Sequence, residues 1–540
     1  MQLLRAPLAA GLALVGALAH APRAQDAAHP EEPPLLEATA ETPSPGHGGT
    51  AYVVLTNRTD ERDPFHEAAA ALAAWRKGHL VVDFDPRAPE RVAPRLRELG
   101  ARWVALVLAP EDIDTNTQRR FLMAAARLDD DLFVDVAFGY VTGTPATPPL
   151  ALVERAKRLE RDGIARRWVS ASVASQIRST VYQGAGDPTA ARAGFDGRKI
   201  YWGAREADPD VLAFVDEKLP GIEPGGVVTF SGCGDPEGIW LFSDERNRER
   251  EKHWAFDAEK VGSDPDGEMP RIGADRLSRA HLDGAVVWSG VCHTASLARV
   301  FVGGDIVSTF GTTKGHTEYR IPQGRSLAAA FLDAGAAALI APVGPNHGYR
   351  NLVEAQEALE RRLPLGDALR STYGDVAMSQ RRAPVLGLHL PDALRPDRGI
   401  GAIMGGGGAN RVLYGDPALS PFRDVEVEPA VALRRRSLPD GGFAIEATVA
   451  AKDWWSWDMF AGDDNRARIR AVVDLEERDP RALRVAAEAR GPEGKPIAAG
   501  RLDAAVEWID GKRRLHLQIA APRGSGLGEP GSSAVFRVSP

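Results

Sequence analysis

The sequence predicts an α/β fold, a parallel-sheet domain in two side-by-side halves, followed by a C-terminal β-sandwich. Three observations predict it. From Ala51 to about residue 420, short continuous apolar runs alternate with amphipathic stretches, which is how strands buried on both faces and their covering helices read. The series starts afresh at RKIYWGA, so the strands come in two sets. After Phe422 the helical stretches stop, and alternating runs separated by turns take over.

The elements follow in order along a chain of 540 residues, 44% hydrophobic and 26% charged, which is enough to bury several large cores. Met1 to Arg5 carries one positive charge, Ala6 to Ala19 is apolar, and Ala19-His20-Ala21 has the small residues of a cleavage site, so residues 1–24 read as a signal peptide and the product as secreted or periplasmic. Residues 25–49 are rich in Pro, Glu and Gly and are expected to form a disordered linker or pro-segment. The first α/β half, 50–195, takes strands from AYVVLTN, HLVVDFD, ARWVALVLAP and DLFVDVAFGYVTG, with PFHEAAAALAAWRKG, PERVAPRLRELG and TPPLALVERAKRLER as helices. The second half, 196–421, takes strands from RKIYWGA, GGVVTFSGCG, GAVVWSGVC and AAALIAPVG, with SLAAAFLDAG as a helix. Residues 422–540 supply the sandwich through FAIEATVAA, RARIRAVVDL, ALRVAAEARG, AAVEWIDGKRRLHLQIAA and SAVFRVS. KDWWSWDMF is read as packing between that sheet and its neighbour in preference to a sugar-stacking platform.

A net charge of −8 gives no basic footprint, so no nucleic-acid partner is expected. No segment after the signal reaches the length of a transmembrane helix, so no membrane span is expected either.

The chemistry gathers at two strand ends, because in open parallel sheets ligands sit beyond the carboxyl ends of the strands. GGVVTF ends in Ser231-Gly232-Cys233-Gly234, and GAVVW ends in Ser289-Gly290-Val291-Cys292-His293. Both cysteines of the chain therefore occupy equivalent positions. A helix is expected directly after Cys292, where its dipole would favour a thiolate.

Five segments, VDVAFGYVTG, SGCGDPEGIW, VVWSGVCHTA, SLAAAFLDAGAAALIAPVG and RVLYGDPALSPF, together resemble the gingipain-type cysteine peptidases of the caspase-like clan over roughly residues 51–420. The resemblance implies a caspase-like domain followed by an immunoglobulin-like sandwich. It also implies a cysteine-type endopeptidase acting on a protein or peptide substrate, in which a histidine and a cysteine at neighbouring strand ends form a dyad and an acyl-enzyme. Cys292 stands at the nucleophile's position. The family's Gly-His-Gly is Gly232-Cys233-Gly234 here, so the dyad histidine is replaced by cysteine. A thiol is a poor substitute for imidazole, having an ordinary pKa near 8.5. Four histidines could replace the base: His253 in the charged insertion that begins at Leu241, His316, His293 and His347. His347 is favoured because it follows the next strand, and His293 because it adjoins the nucleophile. Backbone amides at Gly232 and Gly234 are the expected oxyanion donors.

A second reading makes the two cysteines partners, since an exported chain meets an oxidising compartment and adjacent strand ends can bring Cα atoms within the roughly 4.4–6.8 Å of a disulfide. Cys233 and Cys292 would then be bridged, and the chain would be an inactive scaffold with an extracellular binding or structural role. No cofactor is expected, and no His-x-x-x-His or Cys-x-x-Cys pair offers a transition-metal site. Asp112 with Asp114, and the turn from Ser263 to Glu268, could give oxygen ligands to a structural calcium, although solvated acidic turns are the simpler account. Gly405 to Gly408 lacks the Lys-Ser/Thr pair of a phosphate-binding loop and is read as a flexible loop.

Overall fold

The computed structural model describes residues 35–41, 49–131, 133–173, 187–202, 225–232, 234–240, 271–302, 317–322, 324–344, 350–380, 411–451, 457–458, 466–475, 482–522 and 524–540. Of the residues singled out above, Cys233, His253, His316, His347, Gly405 to Gly408, the Ser263–Glu268 turn and most of KDWWSWDMF lie outside these ranges.

Among the described residues the first element is a strand where a disordered linker is expected: β1 (Leu36–Glu41) pairs antiparallel with a strand far down the sequence, Leu36 opposite Ala487 and Glu41 opposite Ala482. The reason lies in LEATAE itself, which alternates Leu36, Ala38 and Ala40 with Glu37, Thr39 and Glu41. Ala40 is fully buried. Small side chains hide this period in a composition that otherwise reads as disordered.

The first set then folds as β2 (Ala51–Leu55), α1 (Pro64–Arg76), β3 (His79–Val81), α2 (Ala93–Leu99), β4 (Ala101–Val107), α3 (Thr115–Ala125), β5 (Ala137–Val141) and α4 (Pro149–Asp162). Its helices stop and start where local chemistry dictates. Asp63 caps α1 by accepting from Phe65 N at 2.8 Å, Pro64 fills the first helical position, and Lys77 ends the helix in a left-handed conformation. The second set is β6 (Arg167–Val173), α5 (Asp187–Arg192), β7 (Asp196–Trp202), β8 (Gly226–Ser231), the short β9 (Gly234–Asp235), β10 (Gly238–Trp240) and β11 (Arg271–Gly273), then α6 (Ala274–Leu277) and β12 (Ala285–Ser289). It continues with β13 (Arg299–Val302), β14 (Thr317–Arg320), α7 (Leu327–Asp333), β15 (Ala338–Pro342), α8 (Arg350–Glu360), α9 (Leu365–Gln380) and β16 (Arg411–Tyr414).

Ten of these strands form one sheet in the order β3-β2-β4-β5-β16-β15-β12-β8-β6-β7. Within each half the pairing is parallel, β16 running parallel to β5, and the halves meet antiparallel where Leu339 to Pro342 of β15 face Tyr414 to Arg411 of β16. The carboxyl ends of the two halves therefore lie on opposite edges. The chain crosses over between β5 and β6, so β6 joins the second half ahead of the 195/196 boundary expected from the sequence. Gly139 permits the seam: a Cβ there would lie 2.6 Å from Gly415 O. Beside it, Asp416 of the Gly-Asp-Pro segment is 2% exposed and accepts from Tyr52 Oη at 2.6 Å and Arg76 Nε at 2.8 Å. That segment anchors the second half's last strand to the first half's β2 and α1.

The remaining strands are β17 (Val431–Ser437), β18 (Phe443–Val449), β19 (Trp457–Asp458), β20 (Arg466–Leu475), β21 (Ala482–Arg490), β22 (Pro496–Ile497), β23 (Arg501–Ile509), β24 (Lys512–Pro522) and β25 (Ser533–Ser539), with no helix among the described residues after 422. They make two antiparallel sheets, β1-β21-β25-β18-β17 with β22 alongside β21, and β19-β20-β24-β23. Ile445, Phe536 and Ala40 of one and Ile469, Leu502 and Leu517 of the other belong to a single buried cluster.

The second unit meets the α/β domain through buried charge. Arg468 and Arg470 of β20 both bind Asp375 of α9, at 2.7 and 3.1 Å, and Asp375 is fully buried. Arg370 of α9 pairs with Glu507 of β23, whose other oxygen lies 2.9 Å from His516 Nε2. The imidazole of His516 stacks on Phe133 at 4.4 Å. Burial pushes His516 down to about 4, so at neutral pH its Nε2 carries the proton toward Glu507 while Nδ1 accepts from Arg470 at 3.3 Å.

Candidate functional site

The carboxyl ends of β8 and β12 are in register, Phe230 opposite Ser289, so the two segments that carry the cysteines leave the sheet side by side. Gly234 then packs directly on the Cys292 segment, since a Cβ at this position would lie 2.5 Å from Val291 Cγ1 and 2.6 Å from Gly238 O. Cys233 itself lies outside the described residues.

After Ser289 the chain makes a tight turn over residues 291–295 and then runs into β13. This corrects the expectation of a helix after Cys292. The segment HTASLARV has helical spacing, but Arg299 to Val302 pair with Arg320 to Thr317 of β14, and the β-branched and aromatic residues there favour the strand. A helix dipole therefore does not act on Cys292 from this position.

What holds the turn is a ring of hydrogen bonds. Gly290 N donates to Phe230 O at 2.7 Å, Val291 N to Ser289 Oγ at 3.2 Å, Thr294 Oγ1 to Val291 O at 2.6 Å, and Ser289 Oγ and Thr294 Oγ1 lie 3.0 Å apart. His293 N donates to Gly344 O at 3.0 Å and Ala295 N to Pro342 O at 2.8 Å, tying the turn to the end of β15. Within this frame His293 has φ 58°, the left-handed region that costs a side-chain-bearing residue about 1–3 kcal/mol and persists where its surroundings over-determine it. Cys292 and His293 are both half-buried, so each keeps a path to solvent. The backbone conformation of His293 also turns the following residues back toward the sheet. Gly344, which accepts from His293 N, is the last described residue before His347.

The structure accounts differently for the acidic positions. Asp112 binds Arg58 at 3.2 Å and Asn57 at 2.9 Å, while Asp114 binds Arg299 at 2.7 Å and caps Thr117 N at 2.8 Å. Those carboxylates are committed to ion pairs and a helix start. Asp129, Asp131 and Asp135, which the sequence reading passed over, each offer one oxygen within 4.8 Å of the others, a spacing compatible with calcium bonds of about 2.3–2.6 Å. They also accept backbone N–H groups, Asp135 from Leu128 N and Asp131 from Phe133 N and, across to β23, from Trp508 N. Burial and then their neighbouring carboxylates hold Asp131 and Asp135 well above the ordinary carboxyl range.

A cavity of about 250 Å³ lies elsewhere, at the joint between α9 and the second unit, with Arg102, Arg370, Asp367, Glu507 and His516 in its wall. Its charged groups pair largely with each other, so it reads as part of the joint. No protein-family model matches the chain, and no curated protein matches it in sequence.

Proposed function

We propose that the chain is a secreted or periplasmic cysteine peptidase of the gingipain-like, caspase-like type, with its α/β domain bearing the site and an immunoglobulin-like sandwich behind it. The observation that carries this reading is the Cys292–His293 turn: a half-exposed thiol at the carboxyl end of a central parallel strand, on a backbone that hydrogen bonds force into an unfavoured conformation. In the proposed reaction the Cys292 thiolate attacks a peptide carbonyl, backbone amides at Gly232 and Gly234 take the oxyanion, and His347 or His293 carries the proton to the leaving amine. Water then releases the acyl group. The chemistry calls on no cofactor, and a structural calcium would take its oxygens from Asp129, Asp131 and Asp135.

The close packing of Gly234 on Val291 supports a second reading as well, because it sets the two cysteine-bearing segments against each other. A Cys233–Cys292 disulfide would make the chain a binding or structural scaffold. Alkylation without reductant followed by peptide mass spectrometry separates the two: selective modification of Cys292 supports the peptidase, and a cross-linked peptide supports the scaffold. Against peptide libraries, Cys292→Ala should abolish turnover and Cys233→His should raise it. A folded Cys233→His chain that is inert on every library would end the peptidase reading.

A further inference from the structure

We propose that β16 positions the candidate nucleophile, through Arg411 at the start of the Cys292 turn and Tyr414 at its end. Arg411 is fully buried, and so is its partner Glu354 of α8. Its Nε donates to the two Glu354 oxygens at 2.8 and 3.1 Å, and its Nη1 donates to Ser289 O at 2.6 Å. Tyr373 Oη of α9 holds the Arg411 carbonyl at 2.7 Å. At the other end, Tyr414 Oη donates to Ala295 O at 2.7 Å.

A buried ion pair of this kind is a poor device for stability alone, since well-packed apolar residues do as well or better at the same place. Its geometry here has a specific target. The peptide between Ser289 and Gly290 is gripped on both sides, its carbonyl by Arg411 and its N–H by Phe230 O, so its plane cannot rotate. That peptide lies two residues before Cys292. The guanidinium fork is what lets one side chain grip a carboxylate and a carbonyl together, which an ammonium group cannot reproduce. β16 is also the strand that pairs with both halves, with β15 on one side and β5 on the other. The fixing of the turn therefore depends on the seam between the halves and on the segment after it, where Asp416 is anchored to Tyr52 and Arg76.

The inference concerns the reactivity of Cys292, and its effect on turnover rests on the peptidase reading. The test compares the native chain with Tyr414→Phe, Arg411→Lys, and the paired apolar replacement Arg411→Met with Glu354→Met, each checked for native circular dichroism. The readout is the rate of iodoacetamide modification at Cys292, followed by peptide mass spectrometry across a pH series, with kcat and KM where turnover is found. Because misplacing a reacting group by about 1 Å costs up to about a hundredfold, each variant should change the Cys292 rate at least roughly tenfold or displace its pH profile, and lower kcat more than it raises KM. Tyr414→Phe removes a single hydroxyl and decides the matter if the Arg411 variants do not fold. Folded variants that lose melting temperature yet keep the native Cys292 profile would show a merely structural role and overturn the proposal. An altered profile in a chain that never turns over any peptide would uphold the positioning and sink the peptidase reading.

Discussion

Replacing Glu357 by glutamine should make the chain's stability less sensitive to alkali, by an amount that the structure sets. Glu357 of α8 is 3% exposed and accepts from Ser371 Oγ at 2.6 Å and from Arg361. Burial outweighs these partners and pushes its carboxyl up to about 7, against 4.5 for an ordinary glutamate. The folded state therefore keeps the proton longer than the unfolded one, and the stability it contributes is full below 4.5 and is lost as pH rises through 7. Integrating between those two values, about 1 kcal/mol is gone near pH 5 and about 3 kcal/mol near pH 8. Glutamine does not titrate, so the variant's stability relative to the native chain should improve by about 2.5 kcal/mol between these conditions. The amide also places an N–H where Glu357 Oε2 has no hydrogen-bond partner, at a pH-independent cost of about 1–3 kcal/mol. The variant should thus be the weaker chain near pH 5 and should draw level or pull ahead near pH 8. Urea unfolding followed by tryptophan emission at both pH values measures this. Titration of His516 is common to both chains and cancels. A native-to-variant difference that is the same at both pH values would refute the assignment of an alkali-sensitive, buried carboxyl at this position.

Two other outcomes follow from the same structure. Asp375→Asn removes the carboxylate that Arg468 and Arg470 share and should destabilise by about 3–5 kcal/mol, seen as a lowered urea midpoint, whereas replacing all three together by apolar residues should recover most of the loss. Removing residues 35–41 strips β1 from β21 and exposes a strand edge, so the truncated chain should self-associate at concentrations where the native chain does not, as sedimentation velocity would record; an unchanged sedimentation profile would count against β1 as an edge cover.

Much of the sheet was legible because buried parallel strands are written as unbroken apolar runs. GVVTF, AVVW and ALIAP need no partner information to be recognised, and the Gly or Pro residues around them mark the turns. Strand β6 was harder to see, since RWVSASV mixes charge and small polar residues into the run, and β1 was hidden by alanine standing where a larger apolar residue would announce a buried face. At the site, the adjacency of the two strand ends could be read from their equivalent places after successive strands. The left-handed turn at His293 could not, because its conformation is imposed by Phe230, Pro342 and Gly344, which lie on other strands. Arg411 has the same character: a lone arginine before VLY is indistinguishable from a surface residue until Glu354 and Ser289 are seen around it. The joint between the two units was invisible for a related reason, since complementary charges such as Asp375 with Arg468 and Arg470 come together only in three dimensions.

The pairing of β1 with β21 has a consequence for the order of assembly. Glu41 and Ala482 are neighbours in the folded chain, so β1, made early in synthesis, must wait for a strand made much later. The α/β domain can form in the interval and shorten the distance between them, because closing a long flexible loop costs entropy that a folded body in the middle reduces. β21 in turn pairs with β25 (Ser533–Ser539), so the sheet that receives β1 is completed by a strand later still in the sequence. Closure of this sheet is therefore a late event in folding: β1 has no strand to join until β21 has been made.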